Sequence, residues 1–245
     1  MLNYTRQGEG EVLVLIHGFL GSVDVFKNVT EEFASRYDVI AVDLPGHHKS
    51  KIERVSYSVY DYAMAVADVL QRERVEDATW LGHSMGGYIV LAALEREVAK
   101  IKQAILAYSS DLSDTDEQIE KRSKQQKQIL EDGVQGFVDE VISAFFSKNA
   151  QKATIEYAKQ IAYKASPEGL TIALDSMKSR PNQHSFIEQT TTPILVIEGT
   201  EDKVVKPIET KNPNVMKVYT ETGHLGMLED PKSFITAVNK FMENV

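Results

Sequence analysis

Cysteine is absent from this chain, and that absence removes three chemistries at once: disulfide cross-links, thiolate nucleophiles and thiolate zinc sites. Long apolar runs are missing too. No stretch approaches the ~20 residues a membrane-spanning helix needs. The opening Met1-Leu2-Asn3-Tyr4-Thr5-Arg6 lacks the apolar segment and small-residue cleavage site of a secretory signal, so a cytoplasmic location is the expectation. Positive charge is in short supply: 27 Lys and Arg stand against 36 Asp and Glu, a formal net charge of −9. No basic stretch offsets it, and such a surface repels phosphate backbones and anionic lipid. Neither nucleic-acid binding nor membrane insertion is expected, and nothing in the sequence fixes an oligomeric state.

What is present is 245 residues, 42% of them hydrophobic, enough for one large domain or a core with an inserted subdomain. Strand and helix patterns alternate. Val12–Ile16 and Val39–Val42 are continuous apolar strands, with Val25, Val29, Phe33 and Ala34 at helical spacing between them. Tyr57 to Leu70 is a second helix, Ala78–Leu81 a strand, Tyr88 to Leu94 an apolar helix, and Ala104–Ala107 a strand. Alternation of this kind predicts an α/β fold, a mostly parallel sheet with helices on both faces.

The alternation stops near Asp111. Residues 111–180 contain no strand pattern and three or four helical ones: a polar stretch from Asp114 to Asp132, an amphipathic stripe from Val134 to Phe146, then Ile155 to Ala165, then a capped helix opening at Ser166-Pro167-Glu168. Strands resume at Pro193–Ile197 and Val215–Tyr219, and a helix over Phe234 to Phe241 closes the pattern. The predicted division is a core of 1–110 and 181–245 with a helical cap, 111–180, inserted in it.

Gly82-His83-Ser84-Met85-Gly86 falls where a strand must turn sharply into a helix. Glycines two residues either side of the serine keep neighbouring atoms clear of a tight, strained turn, the form of a nucleophile elbow. A serine hydroxyl needs a base, and the base needs an orienting acid. Of six histidines, His224 in Thr222-Gly223-His224-Leu225 follows the last strand, at the sheet edge where Ser84 stands. His83 is too near Ser84 along the backbone, and His184 reads as a surface residue. Asp202 ends the Glu198-Gly199-Thr200-Glu201 stretch at the same edge and completes the order Ser84, Asp202, His224. Asp111, after the preceding strand, is the competing acid. Met85 N–H and Phe19 N–H, the latter in His17-Gly18-Phe19-Leu20-Gly21, are the two oxyanion donors expected.

At these residues, together with Asp43-Leu44-Pro45-Gly46-His47, the chain resembles the α/β-hydrolase superfamily, and within it is similar to small capped bacterial carboxylesterases of the pimeloyl-carrier-protein methyl ester esterase group. The resemblance implies Ser84, Asp202 and His224 as a triad, Phe19 and Met85 as donors and 111–180 as the cap. His48 stands where the family usually has glycine. Tyr88 stands where a related menaquinone-pathway synthase generally has arginine to hold an anionic substrate. This disfavours that reaction without excluding it, because Lys121, Arg122 or Lys124 of the expected cap could supply the charge. Serine at the elbow disfavours dehalogenase and epoxide hydrolase chemistry, which would use an aspartate.

The expected activity is hydrolysis of a small-molecule carboxylic ester with a small to medium, largely apolar acyl group, through an acyl-enzyme and with no metal or cofactor. Pocket candidates are Leu20, Phe145, Phe146, Leu174, Met177, Leu225 and Met227. Carbon–carbon bond hydrolysis, a lyase reaction on the same triad, and a slow-turnover ligand sensor are the alternatives. His17 reads as structural, His47 and His48 as a solvated turn, and Gln125–Gln128 as an exposed helix face.

Overall fold

Seven strands form one sheet, and its order explains how distant parts of the sequence meet. The computed structural model describes residues 1–243. The strands are β1 Tyr4–Gln7, β2 Val12–Ile16, β3 Asp38–Val42, β4 Asp77–His83, β5 Lys100–Ala107, β6 Ile194–Gly199 and β7 Val215–Thr220, in the order β1-β3-β2-β4-β5-β6-β7. All neighbours from β3 to β7 pair in parallel; β1 pairs antiparallel with β3. Parallel strands covered on both faces read as unbroken apolar runs, and Leu13–Ile16, Val39–Val42 and Ile194–Ile197 are at most 1% exposed. The result is the mostly parallel α/β sheet expected from the sequence.

The helices are α1 Lys27–Ala34, α2 Val59–Arg72, α3 Met85–Glu95, α4 Asp116–Val141, α5 Lys152–Ala162, α6 Pro167–Lys178, α7 His184–Gln189, α8 Gly226–Glu229 and α9 Pro231–Glu243. None is long and apolar enough to cross a membrane. Local sequence sets their ends. Ser58 and Asp61 make a reciprocal capping box at the start of α2, worth about 1 kcal/mol. Thr115 and Gln118 do the same for α4, and Ser166 caps α6 with Pro167 in its first turn. Helix α3 is buried from Met85 to Ala93, so it is apolar on every side rather than striped.

Between β5 and β6 the chain leaves the sheet for α4, α5, α6 and α7. Helix α4 is two helices in line: Gly133 at φ 74°, ψ 173° breaks it, where the polar sequence gives way to the stripe beginning at Val134. The stripe is packing surface, with Val134, Phe137, Val138 and Ile142 buried. This segment touches the core backbone to backbone. A Cβ on Gly46 would lie 2.3 Å from the Gly169 Cα, and one on Gly169 would lie 2.4 Å from the Gly46 carbonyl oxygen. Ser166 donates its N–H to that same Gly46 carbonyl at 3.0 Å.

The Pro45–Ser50 loop closes with histidine where glycine is usual. His48 adopts φ 47°, the left-handed region glycine enters without cost, and its Nδ1 lies 3.1 Å from Asp43 Oδ2. Beside it, His47 is completely buried, against the expectation of a solvated turn. The α6 N-terminus covers this loop at Gly46, and burial lowers the His47 pKa to about 4.

Candidate active site

The turn from β4 into α3 holds Ser84 at φ 52°, ψ −117°, a strained conformation for a residue with a side chain. Neighbouring glycines permit it. A Cβ on Gly82 would meet the Gly86 carbonyl oxygen at 2.2 Å, one on Gly86 the Ile16 carbonyl oxygen at 2.3 Å, and one on Gly18 the Ser84 Cβ at 2.8 Å. The Ser84 N–H donates to Ala107 O at 2.9 Å, and the Ser109 hydroxyl donates to Ser84 O at 2.8 Å. Met85 follows as the first residue of α3, where backbone N–H groups have no intrahelical acceptor.

Two loops at the same sheet edge bring histidine and aspartate to this serine. His224 Nε2 lies 2.8 Å from Ser84 Oγ, and His224 Nδ1 lies 2.8 Å from Asp202 Oδ2. Asp202 follows β6 in a turn closed by its N–H on Gly199 O at 3.1 Å. Its other oxygen accepts the Val204 N–H at 2.7 Å, so both carboxylate oxygens have work. The side chains of His224 and Asp202 are 1% and 6% exposed. The competing acid, Asp111, turns elsewhere: its Oδ2 lies 2.7 Å from Nδ1 of His184, whose side chain is 43% exposed.

Three further histidines buttress the site from below. His83 donates Nε2–H to the His224 carbonyl at 2.8 Å, and burial first, then His224 beside it, lowers its pKa to about 3. His17 accepts the Leu44 N–H on Nε2 at 2.9 Å and donates Nδ1–H to Gly18 O at 2.7 Å, with a pKa that burial holds well below the ordinary histidine value. Its ring centroid lies 5.1 Å from that of His47. All three rings are neutral near pH 7; His17 fixes the backbone beside Phe19 and His83 that of His224, while His47 packs against His17. Above the site, Phe145 meets His224 edge-on at 5.4 Å.

Ser84 and His224 open on a cavity of about 740 Å³. Phe19, Phe145, Phe146 and Met177 line it; Leu20, Leu174, Leu225 and Met227 do not. Those four are 0–5% exposed and pack in the core, because their side chains turn away from the cavity face. Several lining residues went unread in the sequence. Tyr88, Leu112 and Val141 add apolar surface, and Thr115, Gln118 and Gln125 add polar surface. Gln125 belongs to the helix face expected to be exposed, yet it lines the cavity, and neighbouring Gln126 donates to Thr171 O of α6 at 2.9 Å.

A serine on a strained strand-to-helix turn, at the carboxyl edge of a mostly parallel sheet and beside a buried histidine, defines the class: an α/β protein with a hydrolase-type site. The chain belongs to the alpha/beta hydrolase fold family, whose model matches residues 11–231. Among curated relatives, it is 26% identical over 262 residues to the pimeloyl-[acyl-carrier protein] methyl ester esterase of Aliivibrio salmonicida, covering 99% of this chain and 96% of that one. A shorter match, to the uncharacterized hydrolase YugF of Bacillus subtilis, is 36% identical over 109 residues, 44% of this chain and 40% of that protein. Among solved structures, the malate-bound thermophilic esterase from Thermogutta terrifontis superposes with a TM-score of 0.92 at 24% identity, over 99% of this chain and 93% of that one. That likeness speaks to the fold.

Proposed function

We propose that the protein is a serine hydrolase of carboxylic esters, working through an acyl-enzyme on Ser84. One observation carries the reading: the unbroken relay Asp202 Oδ2, His224 Nδ1, His224 Nε2, Ser84 Oγ, with 2.8 Å at each gap, at the floor of a cavity large enough for a small molecule. The full-length likeness to an esterase supports the same reading.

With Nδ1–H donated to Asp202, Nε2 is the free base and accepts the Ser84 hydroxyl hydrogen. Ser84 Oγ attacks the ester carbon as His224 takes its proton. The Met85 and Phe19 N–H groups hold the oxyanion. His224 then gives that proton to the leaving alcohol, and in the second half-reaction takes one from water, which attacks the acyl carbon and frees Ser84. Asp202 keeps the ring in the right tautomer and stabilises its charge. The helices between β5 and β6 act as a cap over this floor, and Phe19, Val141, Phe145 and Met177 receive a small to medium apolar acyl chain.

Steady-state hydrolysis of para-nitrophenyl esters from acetate to decanoate, with Ser84→Ala beside the parent, tests this. Multiple turnovers that fall by at least about 10³-fold in the variant are expected, with an optimum at short or medium chains. Equal inactivity of both proteins would remove ester hydrolysis and leave carbon–carbon hydrolysis, a lyase reaction or ligand sensing.

A further inference from the structure

The cavity wall carries charge that plain ester hydrolysis leaves unused. Lys121, Arg122, Lys148, Arg180, Lys203 and Lys206 line it, against Glu140 as the one acidic residue among the described lining residues. This is in a chain whose net charge is −9, so positive charge is concentrated around one opening.

Part of this wall is built rather than merely solvated. The Arg180 side chain is 5% exposed, and its guanidinium carbon sits 4.2 Å from the centroid of the Tyr88 ring. Its Nε donates to Leu112 O at 3.0 Å, and its Nη1 donates to Met177 O at 2.8 Å and Asp114 Oδ1 at 2.6 Å. Nη2 has no hydrogen-bond partner among the described residues. Asp114, whose side chain is fully buried, is shared, because Arg122 pairs with it as well. One carboxylate therefore faces two guanidinium groups, and one positive charge stays uncompensated in a wall partly closed to water. Lys121, next to Arg122 in the chain, has no ion-pair partner among the described residues.

We propose that Arg180, with Arg122 and Lys121, forms an anion subsite, and that the substrate is an ester bearing a carboxylate at the end remote from the scissile carbonyl. The proposal rests on the ester-hydrolase reading for its reaction, but its subsite is separate from the triad. A guanidinium stacked on an aromatic ring is pre-organised, and its spare N–H groups make charge-assisted bonds to a carboxylate. Lys148, Lys203 and Lys206 raise the local concentration of such a substrate at the mouth. The carboxylate belongs either to the acyl chain or to the alcohol, and the two sources separate by experiment.

Two matched pairs of esters test it: para-nitrophenyl hydrogen adipate against para-nitrophenyl hexanoate for the acyl side, and para-butanoyloxybenzoate against its carboxamide for the alcohol side. In at least one pair the anionic ester should show a KM lower by about tenfold at low salt, with the advantage fading at about 0.5 M salt. Arg180→Met should bring the ratio within a pair close to one. Should that variant not fold, the exposed Lys121→Ala should lower the ratio by about two- to threefold. Turnover of the neutral esters with no anionic advantage in either pair overturns the subsite and leaves the hydrolase reading intact. If no ester is turned over, the hydrolase reading falls. The subsite is then judged by calorimetric titration of Ser84→Ala with phenylbutyrate and with phenylbutanamide: tighter binding of the acid upholds it, and equal binding overturns it.

Discussion

The backbone N–H of His224 donates to the carbonyl of Phe145 at 2.7 Å, so the histidine of the site is anchored by the helical segment above it and not only by its own loop. Glu229 reinforces the joint. One of its carboxylate oxygens accepts the Gly223 N–H at 2.8 Å and the other the Ser147 N–H at 3.1 Å. Glu229→Gln keeps the size but turns one acceptor into a donor facing an N–H. We expect kcat to fall about tenfold or more with KM changed less, as a displaced His224 affects the transition state above all; an unchanged kcat would show that the joint does not position the base.

Gly18 lets the loop that carries Phe19 lie against the serine. A Cβ there would sit 2.8 Å from the Ser84 Cβ and 2.9 Å from the His83 Nδ1, so Gly18→Ala must push the Phe19 amide out of line. With Phe19 N–H as the oxyanion donor proposed above, the expected loss is about 10²–10³ in kcat, the range seen when such a donor is lost. Burst titration of Ser84 with a chromogenic ester reports whether acylation is the step that slows.

Asp202 and Asp111 separate cleanly in kinetics. Asp202→Asn leaves His224 Nδ1 with the wrong partner and should lower kcat by about 10⁴. Asp111→Asn breaks only the contact with His184 and should keep activity within about threefold. Reversed effects would move the acid to the end of β5.

Acid should destabilise the fold through its neutral buried histidines. The folded pKa values of His47 and His83, about 4 and about 3, lie below the ordinary value of 6.5. Between those limits the unfolded chain binds protons that the folded one refuses, so stability is flat above about pH 6.5 and falls as pH drops toward 4. Each histidine adds about 1.4 kcal/mol of slope per pH unit. Urea melts at pH 7 and pH 5 measure it, and His47→Gln should reduce the difference, leaving the share of His83 and His17, if the protein still folds.

Much of this architecture is written in the sequence at residue level. The apolar runs Val12–Ile16 and Ile194–Ile197 have no stable place except a doubly covered sheet, and Gly82 and Gly86 mark the elbow because only bare backbone fits there. Edge strand β1, Tyr4-Thr5-Arg6-Gln7, is invisible to such reasoning: it is polar, largely exposed and held by its pairing with β3. The cavity lining is not legible in the same way. Leu174 and Met177 lie on one helix, yet of the two only Met177 reaches the cavity, since the packing of α6 against α4 settles which of its sides faces the cavity. The same packing buries His47, which two neighbouring polar residues made look like a surface loop.

Gly46 and Gly169 meet with no side chain between them, and this contact constrains descent and engineering alike. Neither position tolerates a larger residue while the other stays put, so the two are bound to change together or not at all. A transplanted segment between β5 and β6, taken from another member of the family to alter selectivity, inherits that condition. It must present bare backbone opposite Gly46, or stand off from the sheet and carry the roof of the cavity with it.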